Sequence, residues 1–214
     1  MRGAKRMREV VLDTETTGLK PSDGDKIVEI GCIELINHLP TGNIYHQYIN
    51  PEREMPEAAF KVHGLSADFL KDYPKFSDIT DSFIEFVDDA TLIIHNAKFD
   101  ISFINSELEG LGRPLLSLDH CVDTVKMARD KFPFAQANLN ALCRRFKIDN
   151  SNRKLHGALL DAELLAEVYL QLIGGQQPDL IITDKSEKKV EVFTHDEVNT
   201  QEIRKARPHS VSRE

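Results

Sequence analysis

The sequence predicts an α/β domain of strands and amphipathic helices, followed by a polar tail. Three observations lead there. Residues 26–36 (KIVEIGCIELI) are apolar on both alternating faces apart from Glu29 and Glu34, the pattern of a central strand covered on both sides. The stretches beginning near residues 77, 97 and 157 carry apolar side chains at helical spacing. Beyond Gly174-Gly175 no apolar stripe continues.

In chain order, residues 8–13 read as a strand running into Asp13-Thr14-Glu15-Thr16-Thr17-Gly18. Residues 43–50 (NIYHQYIN) alternate and form a third strand after residues 26–36, with a turn expected at Pro40-Thr41-Gly42. Residues 51–74 are irregular and hold two short helices, with His63-Gly64 between them. Residues 77–87 form an amphipathic helix burying Ile79, Phe83, Ile84 and Val87. Residues 91–95 (TLIIH) are a short buried strand, and a helix starts at Ala97. Residues 122–131 and 138–146 read as two further helices, the second with Asn138 as N-cap. A last helical run reaches Ile173 and ends at Gly174-Gly175.

A chain of 214 residues with 41% apolar content can build one full domain with a real core. Its formal net charge of −8 argues against a stand-alone, non-specific DNA binder but leaves room for an enzyme whose metal ions offset phosphate charge. Cys32, Cys121 and Cys143 are odd in number, widely spaced and free of any C-x-x-C pattern. They suggest neither a zinc site nor a disulfide framework, and a reducing cytoplasm fits. No apolar run reaches membrane-spanning length, so no membrane partner is expected. The basic start MRGAKRMR lacks a following signal-peptide segment.

The chemistry lies in misplaced carboxylates. Asp13 and Glu15 are two apart on a strand and project to one face, where each raises the other's pKa unless a cation intervenes. Close hard oxygen ligands suit Mg²⁺ or Mn²⁺. Alone, such a pair is most simply a solvated strand end. Further along, Asp100 is in phase with Phe103, Ile104, Leu108 and Leu111, and Asp161 with Leu164, Leu165, Val168 and Leu172. A charge heading an apolar stripe is costly unless it is paired or lies near a metal. His156, five residues before Asp161, cannot share its helical face and is expected in the preceding loop.

Together and in this order, VLDTETTG, KIVEIGCIEL, the VHG around His63, IIHNAKFD, LNALCRRFKIDN and LHGALLDAELLAEVYL resemble the DEDDh group of 3′–5′ exonucleases, and within it those that proofread in bacterial replicases. The resemblance covers nearly the whole chain. It implies a ribonuclease-H-like fold with a mixed central sheet flanked by helices. It also implies two divalent cations, held by Asp13, Glu15 and Asp161, with Asp100 helping at the second, and His156 as general base. The 3′ end of single-stranded or frayed DNA would be contacted by Asp13, Glu15, Thr16, His63 and Asp161, and nucleoside 5′-monophosphates released. Ala58 stands where many relatives carry an acidic residue, with Glu57 adjacent.

On this reading residues 1–175 are the exonuclease domain, 176–189 a linker and 190–214 a tail. The tail would dock on a polymerase catalytic subunit, and Gln177, Leu180 and Ile181 would enter a sliding clamp. A small accessory subunit is a further partner implied by the resemblance. RNA trimming on the same fold, or a non-catalytic adaptor role, are the alternatives, and the tail and intact carboxylate set favour neither.

Overall fold

A computed structural model describes residues 7–174. Five strands form one mixed sheet: β1 (Arg8–Thr16), β2 (Ile27–Ile36), β3 (Leu39–Tyr48), β4 (Thr91–Ile94) and β5 (Cys121–Asp123), in the order β3-β2-β1-β4-β5. β1 runs antiparallel to β2 and parallel to β4, and β4 parallel to β5. The helices are α1 (Glu57–His63), α2 (Ala67–Leu70), α3 (Phe76–Val87), α4 (Ala97–Gly110), α5 (Thr124–Lys131), α6 (Leu139–Phe146) and α7 (Ala158–Leu172).

Strand alternation divides the core in two. Val10, Leu12, Ile30, Cys32 and Ile94 point to one face, where they meet Phe83 of α3 and Phe103, Ile104 and Leu108 of α4. Val11, Ile33, Leu35 and Ile93 point to the other, against Leu142 of α6 and Leu165, Val168 and Leu172 of α7. β1 and β2 are covered on both sides, as the unbroken apolar run of β2 requires.

Two expectations are corrected. The β2–β3 turn is Asn37-His38, not Pro40–Gly42: both residues have positive φ (50° and 69°), and Ile36 pairs directly with Leu39. A two-residue turn with two left-handed residues matches the right-handed strand twist, and asparagine tolerates that conformation. Pro40, Thr41 and Gly42 lie inside β3, where the register with β2 shifts between Ile33 and Leu35. Second, Val122 and Asp123 are not helical. They belong to β5, and α5 starts at Thr124 with the Asp123 carboxylate accepting from the N–H groups of Val125 and Lys126.

Gly31 sets the position of α7. A Cβ there would lie 2.3 Å from the Leu159 nitrogen and 2.4 Å from the Ala158 carbonyl carbon. The first turn of α7 therefore rests directly on the β2 backbone, opposite Asp13 in the neighbouring strand. Far from that point, Glu9, only 1% exposed, accepts hydrogen bonds from the Tyr169 hydroxyl (2.6 Å) and the His38 N–H (3.0 Å), pinning the hairpin turn to α7. Among the described residues no helix is long and apolar enough to cross a membrane. Gln177, Leu180 and Ile181, and the linker and tail boundaries, lie outside the described residues.

Candidate metal-binding active site

The parallel pairing of β1 with β4 ends at Leu12 and Ile94, and β1 continues beyond it into Asp13-Thr14-Glu15. A crevice past the carboxyl end of a strand is a common place for ligands in α/β folds. Here it is a cleft of about 760 Å³ lined by Asp13, Glu15, Thr16, His63, Asp100, Arg153, His156 and Asp161, among others.

Each acidic group arrives by a different route. Asp13 and Glu15 alternate with Thr14 along β1, on the face covered by α7. Asp161, in the first turn of α7, reaches the same point because Gly31 lets the helix approach. Asp100 comes from α4 on the opposite face, and its Oδ1 accepts from both the Thr14 N–H (3.1 Å) and hydroxyl (2.7 Å). The left-handed Asn96 (φ 72°) turns the chain from β4 into that helix. His156 sits in the loop before α7, where its N–H donates to the Val62 carbonyl (3.0 Å). Ligand atoms of Glu15, His156 and Asp161 lie within 4.8 Å of one another.

Crowded burial makes these acids reluctant to ionise. Burial, then the neighbouring carboxylates of Asp100, Asp161 and Glu15, hold Asp13 well above the usual carboxylate range. Burial and Asp161 push Glu15 up to about 8. Burial lifts Asp100 to about 7 despite its bonds to Thr14. His156 is held below its ordinary value by burial and by the Arg153 guanidinium.

Sequence reasoning missed that guanidinium. Arg153 binds Asp161 through two bonds of 2.5 Å and donates to His156 Nδ1 (2.9 Å) and Asn140 Oδ1 (3.0 Å). Its side chain is only 6% exposed. It is one cation among four acids, so the cluster has a charge deficit that further cations would fill. Arg153 lies in a polar loop with no periodicity, and no sequence signal distinguishes it. Glu29, which stands out in the sequence as a charge in an apolar strand, lies opposite Glu15 in the sheet, 4% exposed, within 2.7 Å of His46 Nε2 and outside the cleft lining.

His63 ends α1 with its ring buried on the cleft wall. Its Nδ1 accepts from the Leu65 N–H (3.0 Å), and its buried Nε2 has no partner among the described residues. The residue lines the cleft, and a buried ring nitrogen left without a partner is uncommon.

The exonuclease family model (RNase_T) matches residues 10–169. Among curated relatives, the DNA polymerase III subunit epsilon of Rickettsia felis is 57% identical over 183 residues, 84% of this chain and 80% of that protein. The protein of the same name from Haemophilus influenzae is 43% identical over 205 residues, covering 93% and 80%. Among solved structures, the nuclease domain of 3′hExo, a DEDDh family member bound to rAMP, superposes with a TM-score of 0.68 at 16% identity, covering 79% of this chain and 93% of that one. Exonuclease I superposes with a TM-score of 0.69 at 16% identity over 80% of this chain and 42% of that one. These two structural likenesses speak for the fold.

Proposed function

The chain belongs to the exonuclease family, and from that premise we propose that it is the 3′–5′ proofreading exonuclease of a bacterial DNA polymerase III, acting on the 3′ end of single-stranded or frayed DNA. The observation that carries the site assignment is the meeting of four buried or half-buried carboxylates and one histidine in a single cleft. Keeping unpaired acids under burial is unfavourable, and divalent cations offset it. Asp13, Glu15 and Asp161 would hold one ion, and Asp13 with Asp100 a second. Bound there, Mg²⁺ or Mn²⁺ supplies Lewis-acid stabilisation of phosphate charge and an acidified water.

The chain's own side chains do the rest. His156 takes the proton from the attacking water at Nδ1, the atom that faces Asp161 at 3.5 Å. Base action there requires Arg153 to release that nitrogen. His63 and the Thr16 region hold the terminal nucleotide. The product is a nucleoside 5′-monophosphate. The tail carries the polymerase contact, with Gln177, Leu180 and Ile181 for the clamp, and a small accessory subunit is a further partner.

Replacing His156, whose side chain is 46% exposed, by Ala should lower mononucleotide release about 10²–10⁴-fold with little change in Tm. The assay compares matched DNA and RNA strands, each with a paired or mispaired 3′ end, with Mg²⁺ and with EDTA. Faster release from RNA than DNA would overturn the proofreading reading, and undiminished release in EDTA would overturn the metal site.

A further inference from the structure

A second groove, of about 640 Å³, opens beside the carboxylate cleft and shares His95 and Asn138 with it as lining. One wall is α5, which presents Lys126 and Arg129 three residues apart on one helical face. Both are exposed, and neither forms an ion pair among the described residues. The Asp123 carboxylate in the same groove is engaged by the backbone N–H groups of Asn96, Val125 and Lys126, which leaves Asp130 as the opposing charge.

The other wall is the loop between α5 and α6, through Gln136 and Asn138. Two residues before Gln136 stands Phe134, its ring fully in solvent (109% exposed) and its backbone left-handed (φ 66°). A bulky residue is rare in that conformation, and glycine would adopt it without strain. The chain thus holds an aromatic ring out of its core at a position that disfavours it, in the loop that walls this groove.

We propose that this groove is a subsite for the strand upstream of the cleaved bond, with Phe134 stacking on a base and Lys126 and Arg129 contacting phosphates. The proposal rests on the exonuclease reading above. Aromatic platforms beside cationic side chains are how proteins hold single strands without reading sequence. On the side of the cleft formed by α1 the lining is Pro56, Ala58, Ala59, Val62 and His63, with Asp25 nearby and no cationic pair like Lys126 and Arg129: the α1 lysine, Lys61, is paired with Glu57. The shared lining residues His95 and Asn138 put the groove next to the cleft proposed to hold the 3′ end.

The test uses the full chain with Mn²⁺ and two substrates: a dinucleotide, which fills only the cleft, and a single-stranded 12-mer. Phe134→Gly removes the ring and relieves the backbone, so a folding defect is not a confound. The paired variant is K126Q/R129Q. Each should raise KM for the 12-mer about tenfold while leaving dinucleotide hydrolysis unchanged. The charge variant should also flatten the dependence of log KM on log salt, by about 0.7 for each phosphate no longer neutralised.

Unchanged KM for the 12-mer in both variants overturns the proposal. So does an equal loss on both substrates, which would place the effect in the cleft itself. Weakened binding to the polymerase subunit with unchanged 12-mer KM would assign Phe134 to a protein contact instead. Failure of the unsubstituted chain to cut either substrate would sink the exonuclease reading, whereas normal cutting with insensitive variants sinks the subsite alone.

Discussion

Removing divalent cations should make this protein's stability fall as pH rises, and Glu15 should carry much of the effect. Burial and Asp161 raise its carboxyl to about 8 in the folded chain, from 4.5 as the ordinary value. The folded state therefore keeps a proton that the unfolded chain has already lost. That contribution is intact below pH 4.5 and disappears as pH climbs through about 8. At about 1.36 kcal/mol per pH unit the whole window is worth roughly 5 kcal/mol. Asp100, raised to about 7, and Asp13 act in the same direction. Thermal unfolding in EDTA at pH 5, 6, 7 and 8 would read this out for the native chain and for Glu15→Gln. The variant should fall less steeply, ending roughly 10 °C above the native chain at pH 8. Saturating Mg²⁺ should flatten the native curve, because a cation favours the ionised acids. A native chain equally stable from pH 5 to 8 in EDTA, or a variant falling as steeply, would refute the claim that these acids are held protonated by burial.

Two further outcomes follow from the packing. Gly31→Ala puts a methyl against the first-turn backbone of α7, which must shift and carry Asp161 with it. Activity should drop about 10²-fold or more under saturating Mn²⁺, with a lower Tm. Tyr169→Phe leaves the buried Glu9 with His38 alone, and urea unfolding should show a loss of about 1–3 kcal/mol. Since Glu9 lies at the far end of β1 from Asp13, mononucleotide release per folded molecule should hold.

Apolar patterning made most of the framework readable. The β2 run marked a strand covered on both sides, and Asp100 and Asp161 stood out as charges heading buried stripes. The hairpin was misread because Pro-Thr-Gly is a stronger local turn signal than Asn-His, while strand twist favours two left-handed residues. β5 escaped because three residues at a parallel edge have no period of their own. Arg153 joins the site only through tertiary contact from a loop, and local pattern carries no trace of that.

Thr14 and Asp100 meet across 86 residues of chain, and Asp161 arrives later still. No hairpin or isolated layer brings the four acids together. If they are the metal ligands proposed above, a nascent chain emerging from the ribosome would be harmless to nucleic acid until α7 has been synthesised and seated on Gly31. Hydrolytic power would then appear in one step with α7, and a copy folded without it would be inert rather than indiscriminate.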